Sequence, residues 1–201
     1  MAALQSWREW WRELDEVTDI GPIVRRYFVI GAFDGALTVL GIVIGAAATL
    51  GDTAASKALV LAVSASAAIA LAISSAVGAY EAERVEKKLH RHSIERAMLV
   101  ELSEEHRSAF RAAALVSAGV HGVAPMIAAL IPVVPFLVMG FWPATVTGAV
   151  LTLAFLFGLG AYLGSLVRER IVVTGLRFAA TGVGTAILLW ALGRLGLAFV
   201  P

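Results

Sequence analysis

The stretch that decides the fold runs from Ala112 to Val167: AAALVSAGVHGVAPMIAALIPVVPFLVMGFWPATVTGAVLTLAFLFGLGAYLGSLV. Arg111 and Arg168 bound it, and between them stands no Asp, Glu, Lys or Arg, although His121 lies inside. A membrane-crossing helix takes about 20 apolar residues at a rise of about 1.5 Å each, so this stretch is too long for one span. Two proline-bearing segments divide it, Ile131-Pro132-Val133-Val134-Pro135 and Gly140-Phe141-Trp142-Pro143. Proline removes a backbone donor and breaks helices, and tryptophan suits a membrane–water interface. Two spans follow, at about 109–131 and 144–167, joined by an uncharged turn.

The same economy of charge extends outward. Phe28 to Gly51 carries one charge, Asp34, and Ala58 to Tyr80 carries none. Further spans are expected at about 27–50, 57–80 and 177–199, making five. The whole chain agrees: of 201 residues 59% are hydrophobic and 15% charged, with a mean hydropathy of +0.84. A soluble domain is about a quarter charged, so a soluble single-domain enzyme is excluded. A net charge of +1 leaves no basic footprint for nucleic acid. Without cysteine there is no disulfide framework, thiolate metal site or cysteine nucleophile. The expected fold class is all-α, a polytopic membrane protein with five transmembrane helices.

Basic residues give the orientation. The N-terminal segment, the second–third connection and the fourth–fifth connection hold 14 of the 16 Lys and Arg, leaving Lys57 and Arg194 opposite. By the positive-inside rule the N-terminus is cytoplasmic. Residues 1–22 lack the order of a secretory signal. Trp7, Trp10, Trp11, Leu14 and Val17 instead recur at helical spacing among charged neighbours, after a Ser6-Trp7-Arg8-Glu9 capping box. This predicts an amphipathic helix on the cytoplasmic interface, or one packed on a partner subunit.

An acidic residue inside a span is a functional-site hypothesis by default, and Asp34 is the only one. Gly31 and Gly35, and Gly41 and Gly45, form small-xxx-small pairs around it, which let helices approach closely. The alternative is a structural Asp that bonds a neighbouring backbone. In the second span 13 of the 18 residues from Ala62 to Ala79 are Ala, Ser or Gly, a composition expected inside the bundle. Ser75, Ala79, Glu83, Glu86 and His90 share one helical face. A hairpin at 81–107 returns with Glu101, Glu104, Glu105 and His106, with Ser103 as N-cap. Carboxylate and imidazole ligands suit divalent iron, manganese or zinc. A solvated hairpin with ordinary ion-pair spacings, such as Glu83–Lys87, explains the same residues. No Glu-x-x-His di-iron signature, nucleotide-binding loop or hydrolase motif is present, so no enzyme is expected. His121 suits a proton path or an interhelical hydrogen bond.

Several stretches resemble the vacuolar iron transporter family. Tyr27-Phe28-Val29-Ile30-Gly31-Ala32-Phe33-Asp34-Gly35-Ala36-Leu37-Thr38 is similar to its first span, and Ser74-Ser75-Ala76-Val77-Gly78-Ala79-Tyr80 to the end of its second. Leu130-Ile131-Pro132-Val133-Val134-Pro135-Phe136 is similar to its third-span exit, and Thr174-Gly175-Leu176-Arg177 with Gly182 and Leu192-Gly193-Arg194 to its last span. The resemblance implies a homodimer that exports ferrous iron, and often manganese, from the cytoplasm in exchange for protons. It implies that Asp34 lines the pathway. The family's second span reads Ser-Met-x-x-Gly-Glu-Tyr, where this chain has Ser75 and Ala79, and its long glutamate-rich cytoplasmic domain is reduced here to Glu81–His106.

The expected function is therefore a divalent metal transporter of the exporting type, with Asp34, Thr38, Ser75 and Ala79 along the pathway and Asp34, Glu83, Glu86, Glu101 and Glu105 as metal-binding groups. Fe²⁺ or Mn²⁺ is substrate, protons are the counter-substrate, and no cofactor or nucleic acid is expected. The membrane is the cell membrane of a prokaryote or the vacuolar membrane of a eukaryote. A non-transporting scaffold that kept the bundle, and a carrier of another substrate along a hydroxyl-lined path, are the alternatives.

Overall fold

The computed structural model describes Arg12, Asp15, Glu16, residues 18–50, 52–99 and the backbone from Glu104 to Ala198, with side chains from Ser108 to Gly196 in that last stretch. The amphipathic helix expected at 1–22 rests on Trp7, Trp10, Trp11, Leu14 and Val17, which lie outside the described residues. Long helices account for the rest: α1 (Ile20–Thr49), α2 (Ala54–Met98), α3 (Glu104–Val133), the one-turn α4 (Pro135–Val138), α5 (Phe141–Leu166) and α6 (Ile171–Ala198). Five of them are long and apolar enough to cross a membrane, and no described residue lies in a strand. The protein is an all-α, multi-pass membrane protein.

Helix boundaries follow local chemistry. At the start of α2, Thr53 Oγ1 accepts from the Ser56 N–H at 3.0 Å, an N-cap that satisfies an otherwise orphan donor. Helix α5 ends where Arg168 takes a left-handed φ of 56° and the Glu169 N–H reaches back to the Gly164 carbonyl at 3.0 Å. The proline-rich exit of α3 is a compact corner rather than a loop. Pro132 stays inside α3, Val134 turns, and Pro135 opens α4 at a position where its missing N–H costs nothing. Pro125 also lies inside α3 without ending it.

The 45 residues of α2 correspond to about 67 Å of helix, well beyond a hydrocarbon core of about 30 Å. The charged sequence after Tyr80 therefore continues the span as helix to Met98. Its small residues do not place it inside the bundle: only 11% of its apolar window is buried within the chain, against 44% for α1. Ala and Ser make close approach possible, and α3 uses it at Ala76, but among the described residues most of that surface has no neighbour.

The chain divides into two compact units, one from residues up to Gly31 with Ala72–Ala124, the other from Ala32–Leu71 with the chain from Pro125 onward. Each has its own core. In the first, Ile20 packs with Ala113, flanked by Val24, Ala109, Ala112 and Val116. Here too a Cβ on Gly122 would lie 2.9 Å from the Ala76 Cβ, so the absence of a side chain lets α3 sit close on α2. In the second, Val39, Val43, Val60, Ala129 and Ala144 surround Phe136 and Phe141, whose rings meet edge-on at 5.9 Å. The proline corner thus supplies the largest side chains of that core.

Candidate functional site

Asp34 belongs to the second unit, and its surroundings depend on the residue that follows. Gly35 is buried against the main chain of Pro125, and a Cβ there would stand 2.5 Å from the Pro125 Cα. Helix α1 therefore presses backbone to backbone on α3 at this level. One residue earlier, about 100° round the helix, Asp34 is exposed on the surface of the chain. Neighbouring Phe33 anchors the turn by an edge contact with Phe178 at 5.2 Å. Thr38, one turn beyond Asp34 on the same face, is half-buried. Among the described residues Asp34 makes no hydrogen bond and no ion pair.

The remaining predicted residues lie in the first unit or outside the description. Ser75 is half-buried and Ala79 is 3% exposed. Glu83 is also 3% exposed, yet its partner is not Lys87 one turn on. Instead Oε1 accepts from Arg26 Nη2 of α1 at 3.0 Å. Lys87 is drawn elsewhere, donating through Nζ to the Thr18 carbonyl at 3.1 Å. Glu86 is exposed, and His90 turns its ring edge-on to Phe110 at 6.2 Å. Glu101 and the side chain of Glu105 lie outside the described residues. Among the described residues no three His, Asp or Glu side chains are gathered as a metal site.

His121 completes this polar flank. Its Nδ1 lies 2.9 Å from the Tyr27 carbonyl, which can only accept, so Nδ1 carries the proton. The Tyr27 ring stands 5.0 Å away, tilted by 53°, with the Arg26 guanidinium 5.0 Å from its centroid. Of the two roles considered for His121, the interhelical hydrogen bond is the one formed.

Sequence reasoning missed one feature. A cavity of about 350 Å³ opens between α2 and α3, lined by Arg84, Lys87, Lys88, Arg91 and Arg111 together with Tyr80, Phe110 and Ala114. The signal was available: 84, 87/88 and 91 recur at three to four residues, which places them on one helical face. Matching each base with a nearby acid obscured it.

Five helices long and apolar enough to cross a membrane, with one carboxylate exposed on the first, describe an integral multi-pass membrane protein. The chain belongs to the VIT family, whose profile matches residues 25–109 and 95–194. It is also similar to an uncharacterized protein of Methanocaldococcus jannaschii, 28% identical over 117 residues, which are 56% of this chain and 61% of that protein. The match thus spans about three fifths of that archaeal relative.

Proposed function

We propose that the protein exports divalent metal, iron or manganese, from the cytoplasm in exchange for protons, as a homodimer. The VIT family supports the class of cargo, and the observation that carries the mechanism is the exposed Asp34. A carboxylate at this depth is costly against hydrocarbon unless it is paired or lines a water-filled path. A second copy set against this face supplies the cover and brings two Asp34 carboxylates to one path. The uncovered small-residue surface of α2 fits such an assembly, since small residues let helices approach closely.

Along that path Asp34 holds a cation or a proton in turn, which couples export to the proton gradient. Thr38 adds a hydroxyl one turn away, and Ser75 and Ala79 are the α2 positions assigned to the same path. Glu86, Glu101 and Glu105 collect metal at the basic, cytoplasmic end, on the orientation that the positive-inside rule gives. Glu83 joins them only when Arg26 releases it. The membrane is that of the cell in a prokaryote and of the vacuole in a eukaryote.

The test is Fe²⁺ and Mn²⁺ flux in proteoliposomes with and without an imposed pH gradient. Asp34→Asn keeps the unfolding temperature and abolishes flux; undiminished flux in that variant removes Asp34 from the mechanism. A scaffold without transport is the second reading, favoured by Glu83 being held by Arg26 and by Ala79 offering no ligand atom. Failure of the folded protein to move Fe²⁺, Mn²⁺, Zn²⁺ or Co²⁺ decides for it.

A further inference from the structure

The cavity between α2 and α3 is built for an anion, and its position selects which kind. Five cationic side chains line it, and among the described residues none of its lining is an acid. Nearby carboxylates offset them in part. Glu81 accepts from Arg84 at 3.0 Å on the exposed side, and Glu95 forms an ion pair with Arg91, its Oε2 3.7 Å from the Nε, longer than a hydrogen bond. That Nε is buried and, among the described residues, has no hydrogen-bond acceptor. A buried donor without a hydrogen bond costs free energy that an incoming oxyanion recovers. Lys88 is exposed at the rim.

The other wall is apolar. Phe110 is 8% exposed, and Phe110 and Ala114 lie at the charged end of the apolar run of α3, which carries no Asp, Glu, Lys or Arg after Arg111. Tyr80 marks the point on α2 where the apolar sequence gives way to charge. The cavity therefore has a cationic end outside the hydrocarbon and an aromatic end at its edge. A free anion has no use for the second; a phospholipid uses both. Basic pockets of this kind between membrane helices recognise lipid headgroups.

We infer that this cavity binds the phosphate of an anionic phospholipid, with Arg91, Lys88 and Arg111 around the headgroup and Phe110 and Ala114 against its glycerol and first acyl carbons. The inference does not depend on what the pathway carries. Its use is local: a lipid seated there ties α2 to α3 just outside the membrane.

Native mass spectrometry of the full-length protein in detergent tests it, with phosphatidylglycerol and phosphatidylcholine of identical acyl chains. The expected result is one phosphatidylglycerol per chain, retained at least tenfold better than phosphatidylcholine. Each cation near a headgroup is worth about fivefold at low salt, so Lys88→Ala loses about fivefold and Lys88→Ala with Arg91→Ala about 25-fold. Arg168→Ala with Arg170→Ala, on the fourth–fifth connection, leaves retention unchanged. Equal retention of the two lipids overturns the inference, as does full retention by the double variant. Displacement of phosphatidylglycerol by millimolar inorganic phosphate also overturns it, in favour of a free-anion site. Lys88 is exposed, so Lys88→Ala folds even where Arg91→Ala does not, and the lipid comparison needs no variant.

Discussion

Adding one methyl group at Gly35 measures how far the first span depends on backbone contact. An ideal Cβ there lies 2.5 Å from the Pro125 Cα and 2.8 Å from its carbonyl carbon, against ordinary contacts that begin near 3.4 Å. The shortfall approaches 1 Å, and the obstructing atoms are main chain, so no rotamer change relieves it. Helices α1 and α3 have to separate at the level of Asp34. Overpacking of this kind costs about 1–3 kcal/mol, which exceeds the gain of up to about 1 kcal/mol from replacing Gly by Ala in a helix. For a chain of this length each kcal/mol moves the midpoint by about 2–4 °C. Gly35→Ala should therefore lower the midpoint of tryptophan-monitored unfolding in detergent by several degrees. Gly45→Ala is the internal control: on the same helix, a Cβ there meets nothing within 4 Å, so the substitution leaves the midpoint unchanged or slightly raised. A Gly35→Ala midpoint equal to that of Gly45→Ala refutes the close approach at Pro125.

Four other outcomes test the polar flank. Arg26→Gln leaves the buried Glu83 carboxylate without its guanidinium and destabilises by roughly 1–3 kcal/mol, a range held down because Arg26 itself is largely exposed. Adding Glu83→Gln to that variant recovers most of the loss in urea unfolding; a double variant no better than the single one shows that the pair is not coupled. His121→Leu removes the bond to the Tyr27 carbonyl and costs about 0.6–1.7 kcal/mol. If metal flux is assayed in His121→Leu, its pH profile should match that of the unchanged protein, whereas a displaced profile returns His121 to a proton path.

What was legible from the sequence depended on signals carried along one segment. The charge-free run between Arg111 and Arg168 was enough to predict two spans and a corner, because hydrocarbon excludes charge at every position of a helix that crosses it. Asp34 stood out for the same reason. Pairings between segments were less visible. Glu83 has Lys87 at the spacing of an ion pair, but the buried carboxylate meets Arg26, 57 positions earlier in the chain. Nothing periodic connects them. The composition of α2 misled in another way: small residues report that a helix can be approached, not which chain approaches it. In the single chain 44% of the α1 window and 11% of the α2 window are buried, although both are equally apolar.

Asp34 and Gly35 explain each other. A carboxylate inside a span needs a fixed direction, because rotation of its helix would turn it onto a neighbouring helix or into lipid. Side-chain packing fixes rotation weakly, since long side chains adapt. Backbone packed on backbone does not adapt, and Gly35 on Pro125 is such a contact. Pro125 helps from the other side: buried inside α3, it lacks an N–H and presents its main chain to α1 at the point of contact. With Gly35 turned inward by that contact, the preceding residue is held outward by the helical twist alone. The Asp-Gly order on α1 and the internal proline of α3 are then one device, in which the glycine sets the angle at which the acid faces out. Exchanging the two residues would keep the composition of the span, but it would aim the carboxylate at the backbone of α3.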